Sequence, residues 1–209
     1  MKTIMKTTTK IKMSFCLVLL LTWSLPVWAK TPMASLQGLI DEVISLLNSP
    51  QYQDAAKKKE QGDKIWVVIE EVFDFQKISR LTLGKNWKKF SDKELDEFSV
   101  LFSNLLGKTY LKKVQDEFKN EKVNYMDEKI LTGKKNERAQ VKTALVRKNM
   151  EIPVEYSMWK NNGVWRIYDV KVEGISLVKN YRTQFQKILF NKSPGELIAQ
   201  VKKKVDGMK

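Results

Sequence analysis

The sequence predicts an α+β fold in which several helices pack against one curved antiparallel sheet of about four strands. Apolar residues recur at helical spacing before residue 120 and again after residue 175, but from residue 122 they alternate with polar residues at a period of two. An Asn-Gly pair at 162–163 separates two of the alternating runs, which is a strong hairpin signal. A block of strands between two blocks of helices favours helices layered on one antiparallel sheet.

The first block predicts several helices. Its first helix carries an apolar stripe from Leu36 to Leu47 and stops at Asn48-Ser49-Pro50. The polar stretch Gln51 to Lys64 is interpreted as a connector or a solvated helix end. A second helix is predicted from about Ile65 to Phe75 and a shorter one up to Gly84, because glycine suits a helix C-terminus.

Two capping signals start the longest helix and the last helix. Ser91-Asp92-Lys93-Glu94 is a capping-box pattern, in which the serine and the glutamate satisfy unpaired backbone donors. After the strands, Ile175 to Leu189 restores helical spacing. Ser193-Pro194-Gly195-Glu196 then opens a final helix, with serine at the cap and proline at the first helical position.

Alternation defines the strands. Val141 to Leu145 and Ile152 to Met158 each alternate apolar with polar or small residues, and a third strand is predicted from Val164 to Val172. Asn161-Asn162-Gly163 joins the last two as a hairpin. Pro153 cannot donate a ladder hydrogen bond, which indicates an edge or a bulge at that point.

Residues 1–29 have the pattern of a cleavable secretory signal peptide. Four lysines precede the apolar run Met13 to Leu25, and small residues at 27 and 29 allow cleavage after Ala29. The run is shorter than the roughly 17 residues of a membrane-spanning helix. Phe15 before Cys16 argues against lipidation of that cysteine. We therefore expect an exported single domain over residues 30–209.

Composition excludes several kinds of chemistry. Cys16 is the only cysteine and histidine is absent, so the mature chain has no disulfide, no thiolate and no imidazole. Removing the four leader lysines from 38 basic residues leaves 34 against 24 acidic ones, a net charge of +10. For an exported protein this surplus favours anionic lipid headgroups or an acidic protein over nucleic acid, while a merely solvated basic surface stays open.

The sequence contains no Gly-rich phosphate loop, metal-ligand cluster or nucleophile elbow. Asp169 and Glu173 could form an acid pair, but they follow Trp165 and Ile167 near the end of a strand. A structural role for Asp169, bonding nearby backbone, is the favoured interpretation. No cofactor or metal is therefore expected.

One segment carries a family resemblance. Trp165 to Phe185, WRIYDVKVEGISLVKNYRTQF, resembles the signature of the MlaC/Ttg2D family, the periplasmic phospholipid-binding components of the Mla (Ttg2, toluene tolerance) lipid transport system of Gram-negative bacteria. Leu83-Gly84-Lys85-Asn86-Trp87 is similar to the family's LG-x-x-W. The resemblance spans roughly Ile65 to Val205 and is weakest over Lys30 to Asp63 and in the first strand.

The resemblance implies a curved sheet and covering helices that enclose an apolar cavity for phospholipid acyl chains, with the headgroup near the mouth. It implies no reaction and no cofactor, with phospholipid as the cargo. The implied partners are an inner-membrane Mla-type ABC transporter complex and an outer-membrane lipoprotein complex, with peripheral, transient membrane contact and no nucleic acid. Such a periplasmic shuttle maintains outer-membrane lipid asymmetry. A related branch, associated with hopanoid biosynthesis, is an alternative.

Alternation and the family together select candidate lipid-binding residues. A two-chain lipid needs a pocket near or beyond the upper end of the roughly 300–1,000 Å³ range of small-molecule sites. The predicted lining residues are Phe102, Leu106, Tyr110, Ile152, Val154, Tyr156, Met158, Trp165, Ile167, Val178 and Phe185. Arg166 or Arg182 could pair with a phosphate, although a surface or structural role is the favoured interpretation of each.

Two other functional classes stay open. One is an enzyme acting on an apolar substrate, which without His or Cys would need a carboxylate with a raised pKa in its pocket. The other is a periplasmic interaction protein with a filled core that docks an acidic partner through its basic surface. Because the single residues of an apolar stripe are usually packed, composition does not distinguish a filled core from a hollow one.

Overall fold

The computed structural model describes residues 30–133, 137–148 and 150–208, and the predicted signal peptide lies outside these ranges. Within them the chain forms six α-helices and one antiparallel sheet of five strands. The α+β class predicted from the sequence is confirmed. No helix in this described part is long and apolar enough to span a membrane.

The elements follow the predicted order of helices, strands and helices. The helices are α1 Pro32–Asn48, α2 Lys58–Val72, α3 Phe75–Leu83, α4 Asp92–Glu117, α5 Leu177–Asn191 and α6 Pro194–Asp206. Short 3-10 turns occupy Pro50–Tyr52, Ala55–Lys57 and Gly84–Lys89. The strands are β1 Lys122–Thr132, β2 Glu137–Arg147, β3 Met150–Asn161, β4 Val164–Val172 and the two-residue β5 Ile175–Ser176.

The sheet is a meander in which each strand pairs with the next in sequence. β3 and β4 are joined by the predicted turn, where Asn162 and Gly163 have φ values of 49° and 82°. Two consecutive positive φ values are what a type I′ hairpin turn requires. β3 is internal, but its pairing with β4 ends at Val154, so Pro153 lies beyond that pairing and its carbonyl accepts from the Glu173 N–H at 3.0 Å.

Both predicted capping boxes are present. The hydroxyl oxygens of Ser91 and Ser193 each accept from the backbone N–H of the glutamate three residues on. The backbone N–H of each serine donates in return to the carboxylate of that glutamate. α2 begins at Lys58 rather than near Ile65, because the polar stretch before Ile65 is partly helical. Gln61 in that stretch is fully buried and donates from Nε2 to the Leu46 carbonyl at 2.9 Å, which fastens α2 to the end of α1.

Two buried clusters hold the layers together. The helical cluster centres on Phe98, Phe102, Tyr181 and Phe185, whose ring centroids lie 4.8–5.6 Å apart in stacked, tilted and edge-on pairs. Such geometry is favoured by the ring quadrupoles and fixes α4 against α5. The second cluster packs α1 and α2 onto the sheet and contains Leu36, Val68, Ala139, Met158, Trp165 and Ile167.

The junction between α2 and α3 fastens the helical layer to β4. The Asp74 N–H donates to the Ile167 carbonyl at 2.9 Å, next to a parallel bridge between Phe73 and Ile167. The Trp159 indole N–H donates to the Asp74 carboxylate at 3.0 Å. These bonds hold the helices over only part of the inward face of the sheet, which leaves the cavity described next.

Candidate functional site

A cavity of about 780 Å³ lies between the helices and one half of the inward face of the sheet. Its helical wall comes from α1, α2, the α2–α3 junction and α4, through Leu39, Ile40, Val43, Ile44, Leu47, Ile65, Trp66, Ile69, Phe73, Phe75, Leu106, Tyr110, Leu111 and Val114. Its sheet wall comes from Val123, Leu145, Ile152, Val154, Tyr156, Val170 and Val172. Most wall side chains are apolar, so the interior suits a hydrocarbon ligand.

Strand register explains why only half of the sheet faces the cavity. Ile152, Val154, Tyr156 and Met158 share one face of β3, as their alternation predicted. At the Met158 end the paired Ala139 and Met158 are fully buried beneath α1 and α2. At the other end of the same face, the helices do not close onto Ile152, Val154 and Tyr156, and these three side chains line the cavity.

The structure divides the eleven predicted lining residues into two groups. Five border the cavity, namely Leu106, Tyr110, Ile152, Val154 and Tyr156. The other six lie in the packed clusters, namely Phe102, Met158, Trp165, Ile167, Val178 and Phe185. That the first five contact a lipid stays a prediction.

The six residues lie away from the cavity because each has packed neighbours. Phe102, Val178 and Phe185 belong to the helical cluster between α4 and α5, whereas Trp165 and Ile167 lie under α1 and α2. Leu106 follows Phe102 by one helical turn and touches both the cluster and the cavity. Helical spacing therefore identified the apolar stripe of α4, but it did not show where along the stripe packing ends.

The sequence interpretation missed the contribution of α1 and α2 to the wall. Five α1 residues line the cavity, namely Leu39, Ile40, Val43, Ile44 and Leu47. The sequence does contain a signal for this contribution. Seven of the twelve residues from 36 to 47 are apolar, so the apolar face of this helix is wider than a single packed stripe. In α1, Leu36 packs only against the sheet cluster, whereas Leu39 belongs to that cluster and also lines the cavity.

Four exposed apolar residues border both the cavity and solvent, and we call them the mouth rim. Tyr110 and Val114 on α4 are 41% and 43% exposed, and Val172 and Ile175 at the end of the sheet are 44% and 67% exposed. α5 lies beside this part of α4, since the Tyr181 ring packs edge-on against that of Phe102 at 4.8 Å. Burial, and then the nearby Tyr110, raise the pKa of Tyr181 to about 12. The mouth rim thus consists of two residues of α4 and two residues that flank the β4–β5 turn.

An ion-pair cluster forms the polar side of the mouth. Arg147 donates from Nε to the Glu121 carboxylate at 2.8 Å, and its Nη1 lies 3.5 Å from the Glu117 carboxylate. Burial disfavours the charged form of Glu121, but hydrogen bonds from the Lys119 and Glu121 N–H groups and from Arg147 outweigh it and lower the pKa of Glu121. Both carboxylates are thereby engaged within the protein.

Asp169 also borders the cavity, and its structural role is confirmed. Its carboxylate accepts from the Ser176 hydroxyl at 2.6 Å and from the Val178 N–H at 3.0 Å, which ties the start of α5 to β4. Deeper in the wall, burial raises the pKa of the Tyr156 phenol to about 12, so this side chain is neutral at ordinary pH. The Asp169 carboxylate is thus held by donors of the protein itself, and Tyr156 adds no charge to the wall.

The two arginines considered for phosphate pairing bond to backbone instead. Arg182 donates from Nε to the Leu81 carbonyl at 2.7 Å, and Arg166 donates from Nη1 to the Glu71 carbonyl. Among the described residues no group of three or more metal-ligating side chains is placed to hold a metal ion. The cavity is thus the site to be explained.

A family profile described as MlaC protein matches residues 37–203 of the chain. The chain belongs to the MlaC family. Its fold is also similar to the crystal structure of a phospholipid-binding protein from Ralstonia solanacearum in complex with a phospholipid. The TM-score is 0.72 at 17% identity, and the match covers 86% of this chain and 99% of that one. A search of curated proteins gives no match.

The family match covers the elements that build the cavity. Residues 37–203 include most of α1, which supplies five wall residues, and all five strands. The resemblance drawn from Trp165 to Phe185 is therefore confirmed at the level of family and fold. α1, where the resemblance was weakest, is nevertheless one of the principal walls.

Proposed function

We propose that this chain is a periplasmic phospholipid carrier that shuttles lipid between an inner-membrane ABC transporter complex and an outer-membrane lipoprotein complex. The family and the phospholipid-binding relative of the same fold support the class of cargo. The signal-peptide pattern of residues 1–29 supports the compartment. The carrier performs no reaction and needs no cofactor.

The apolar cavity of about 780 Å³ carries this proposal. Withdrawing one acyl chain from a bilayer exposes about 16 methylenes at about 0.8 kcal/mol each, or about 13 kcal/mol per chain. A cavity that offers comparable apolar surface offsets this cost. The observed volume is in the upper part of the roughly 300–1,000 Å³ range of ligand pockets, as a lipid requires.

A filled-core interaction protein and an enzyme are both less well supported. The cavity argues against a filled core. An enzyme would need a carboxylate with a raised pKa inside the apolar pocket. Of the four carboxylates that border it, Glu121 and Glu117 pair with Arg147, Asp169 bonds to the start of α5, and Glu173 lies exposed to solvent in the β4–β5 turn. The pKa of Glu121 is lowered, which is opposite to the shift that an acid catalyst at neutral pH requires.

Mass spectrometry of lipid that co-purifies with residues 30–209 tests the proposal. The chain is exported to a Gram-negative periplasm, purified and measured intact and after lipid extraction. We expect phospholipid in near-stoichiometric amount, with no headgroup preference imposed by acyl burial. A hopanoid in its place would move the chain to the hopanoid-associated branch, and a lipid-free chain would contradict the carrier.

A pair of matched variants locates the lipid. Val154→Asp places a charge in the sheet wall, whereas Val100→Asp places the same charge on the outer face of α4, where Val100 is 61% exposed. We expect Val154→Asp to lose most of its lipid and Val100→Asp to retain it. Equal loss from both variants would show that the cavity is not the lipid site.

A further inference from the structure

The mouth rim continues the apolar cavity wall out to the surface of the molecule. Tyr110, Val114, Val172 and Ile175 each border the cavity, and Ile175 is 67% exposed. Apolar surface that is continuous with a cavity wall in this way marks a site of contact with another surface. A surface that covers the mouth rim must therefore accept apolar side chains beside the open end of the apolar cavity.

The same end of the molecule carries exposed lysines. Lys113 and Lys179 lie on the α4 and α5 sides of the mouth, and Lys119, Lys122 and Lys148 lie where β1 begins and β2 meets β3. Within the described ranges none of these five lysines takes part in a salt bridge.

The acids near the mouth offset this charge only in part. Glu117 and Glu121 are paired with Arg147, and Asp169 is bonded to the start of α5. Asp116, Glu151 and Glu173 are exposed acids at this end that take part in no salt bridge within the described ranges. The five unpaired lysines outnumber these three acids, so the exposed, unpaired charge around the mouth rim has a positive excess.

We propose that the mouth rim and its surrounding lysines dock the carrier directly, mouth first, on an anionic phospholipid bilayer. This proposal rests on the proposed function, since it names the surface with which the lipid-carrying mouth makes contact. Exposed apolar side chains enter the interface while lysines meet anionic headgroups, as peripheral lipid-binding proteins do. An acyl chain can then pass between bilayer and cavity along a continuous apolar surface.

The geometry favours this end of the molecule over the most exposed of the other large apolar side chains, Phe190. Phe190 is 86% exposed and lies near Lys187, but it is at the far end of α5 from the mouth. Phe190 comes thirteen positions after Leu177, which corresponds to about 20 Å of helix. A bilayer bound at Phe190 would leave the mouth away from its surface, so Phe190 provides a matched control.

Vesicle flotation with the purified full-length mature chain tests the proposal. The vesicles are phosphatidylcholine alone or phosphatidylcholine mixed with phosphatidylglycerol, at low and at physiological salt. We expect binding to the anionic vesicles that weakens as salt screens the charges. Ile175→Ser should weaken binding about tenfold. Lys119→Gln with Lys179→Gln should weaken it about fivefold per lysine.

The controls are Phe190→Ser and Lys187→Gln, which remove the same chemistry from the far end of α5. We expect both to bind anionic vesicles as the wild type does. Loss of binding in the controls equal to that in the mouth variants would overturn the proposal. Absence of wild-type binding to anionic vesicles would also overturn it and would favour a protein surface as the mouth's partner.

Lipid content separates this inference from the proposed function. The lysines replaced here do not line the cavity, so both lysine variants should keep their co-purified lipid. A wild type that carries lipid but ignores vesicles refutes bilayer docking and leaves the carrier intact. If circular dichroism shows that Ile175→Ser is unfolded, vesicle binding is compared between the Lys119→Gln with Lys179→Gln variant and its Lys187→Gln control.

Discussion

Phe185→Ala distinguishes the packed helical cluster from the cavity wall. Phe185 was expected from the sequence to contact lipid, but its ring lies 5.3 Å from that of Phe102 and 5.4 Å from that of Phe98, and it is 4% exposed. Truncating a phenylalanine in such surroundings costs about 3–5 kcal/mol. That is a large part of the roughly 5–15 kcal/mol that stabilises a domain. In a domain of this size it lowers Tm by about 10 °C.

Val154→Ala provides the comparison, because Val154 borders the open cavity. Its truncation forfeits about 1 kcal/mol of burial and creates no new enclosed void, so Tm should fall by about 3 °C. Thermal unfolding is followed by circular dichroism on delipidated protein, since bound lipid would itself stabilise the fold. A Phe185→Ala variant with nearly unchanged Tm and reduced lipid would refute the assignment of Phe185 to the core.

Three further predictions follow from the site. Asp169→Ala removes the acceptor that anchors the start of α5 and should lower stability by about 1–2 kcal/mol, measured by urea unfolding at pH 7. The pKa of Glu121 is lower in the folded protein than in the unfolded chain, so the ionised carboxylate stabilises the fold. This contribution to the free energy of unfolding is fully present above the unfolded pKa and is lost as the pH falls through the folded pKa. Glu121→Gln should therefore show a lower Tm at pH 7 and a shallower loss toward pH 3, whereas parallel profiles would contradict this. A Cβ on Gly107 would meet the Trp66 ring at 3.1 Å, so Gly107→Val should push Trp66 toward the cavity and reduce lipid in the extraction assay, while unchanged lipid would contradict it.

The fold was predictable because its signals are local. Helical periodicity, the serine–glutamate capping boxes and the Asn162-Gly163 turn each act within a few residues, and each formed as expected. The start of α2 was not predictable in this way. Gln61 lies in a polar stretch, and its burial depends on a bond to the Leu46 carbonyl that only the folded chain brings close.

The cavity was predictable only in part because lining and packing use the same residue types. Alternation correctly grouped Ile152 to Met158 on one face of β3. Whether a residue on that face meets empty space or a helix depends on where α1 and α2 lie, which no local pattern encodes. Met158 is covered by these helices and Ile152 is not, although both have the same position in the alternation.

In the proposed carrier, acyl chains occupy the cavity between α1, α2, α4 and the sheet. Photo-crosslinking tests it most directly, with a phospholipid that carries a diazirine near the end of one acyl chain, followed by peptide mapping. If acyl chains occupy the cavity, labels fall in α1 and α2, for example at Ile44 or Trp66. Labels confined to the Phe98–Phe185 cluster, or to exposed residues such as Phe190, would contradict it.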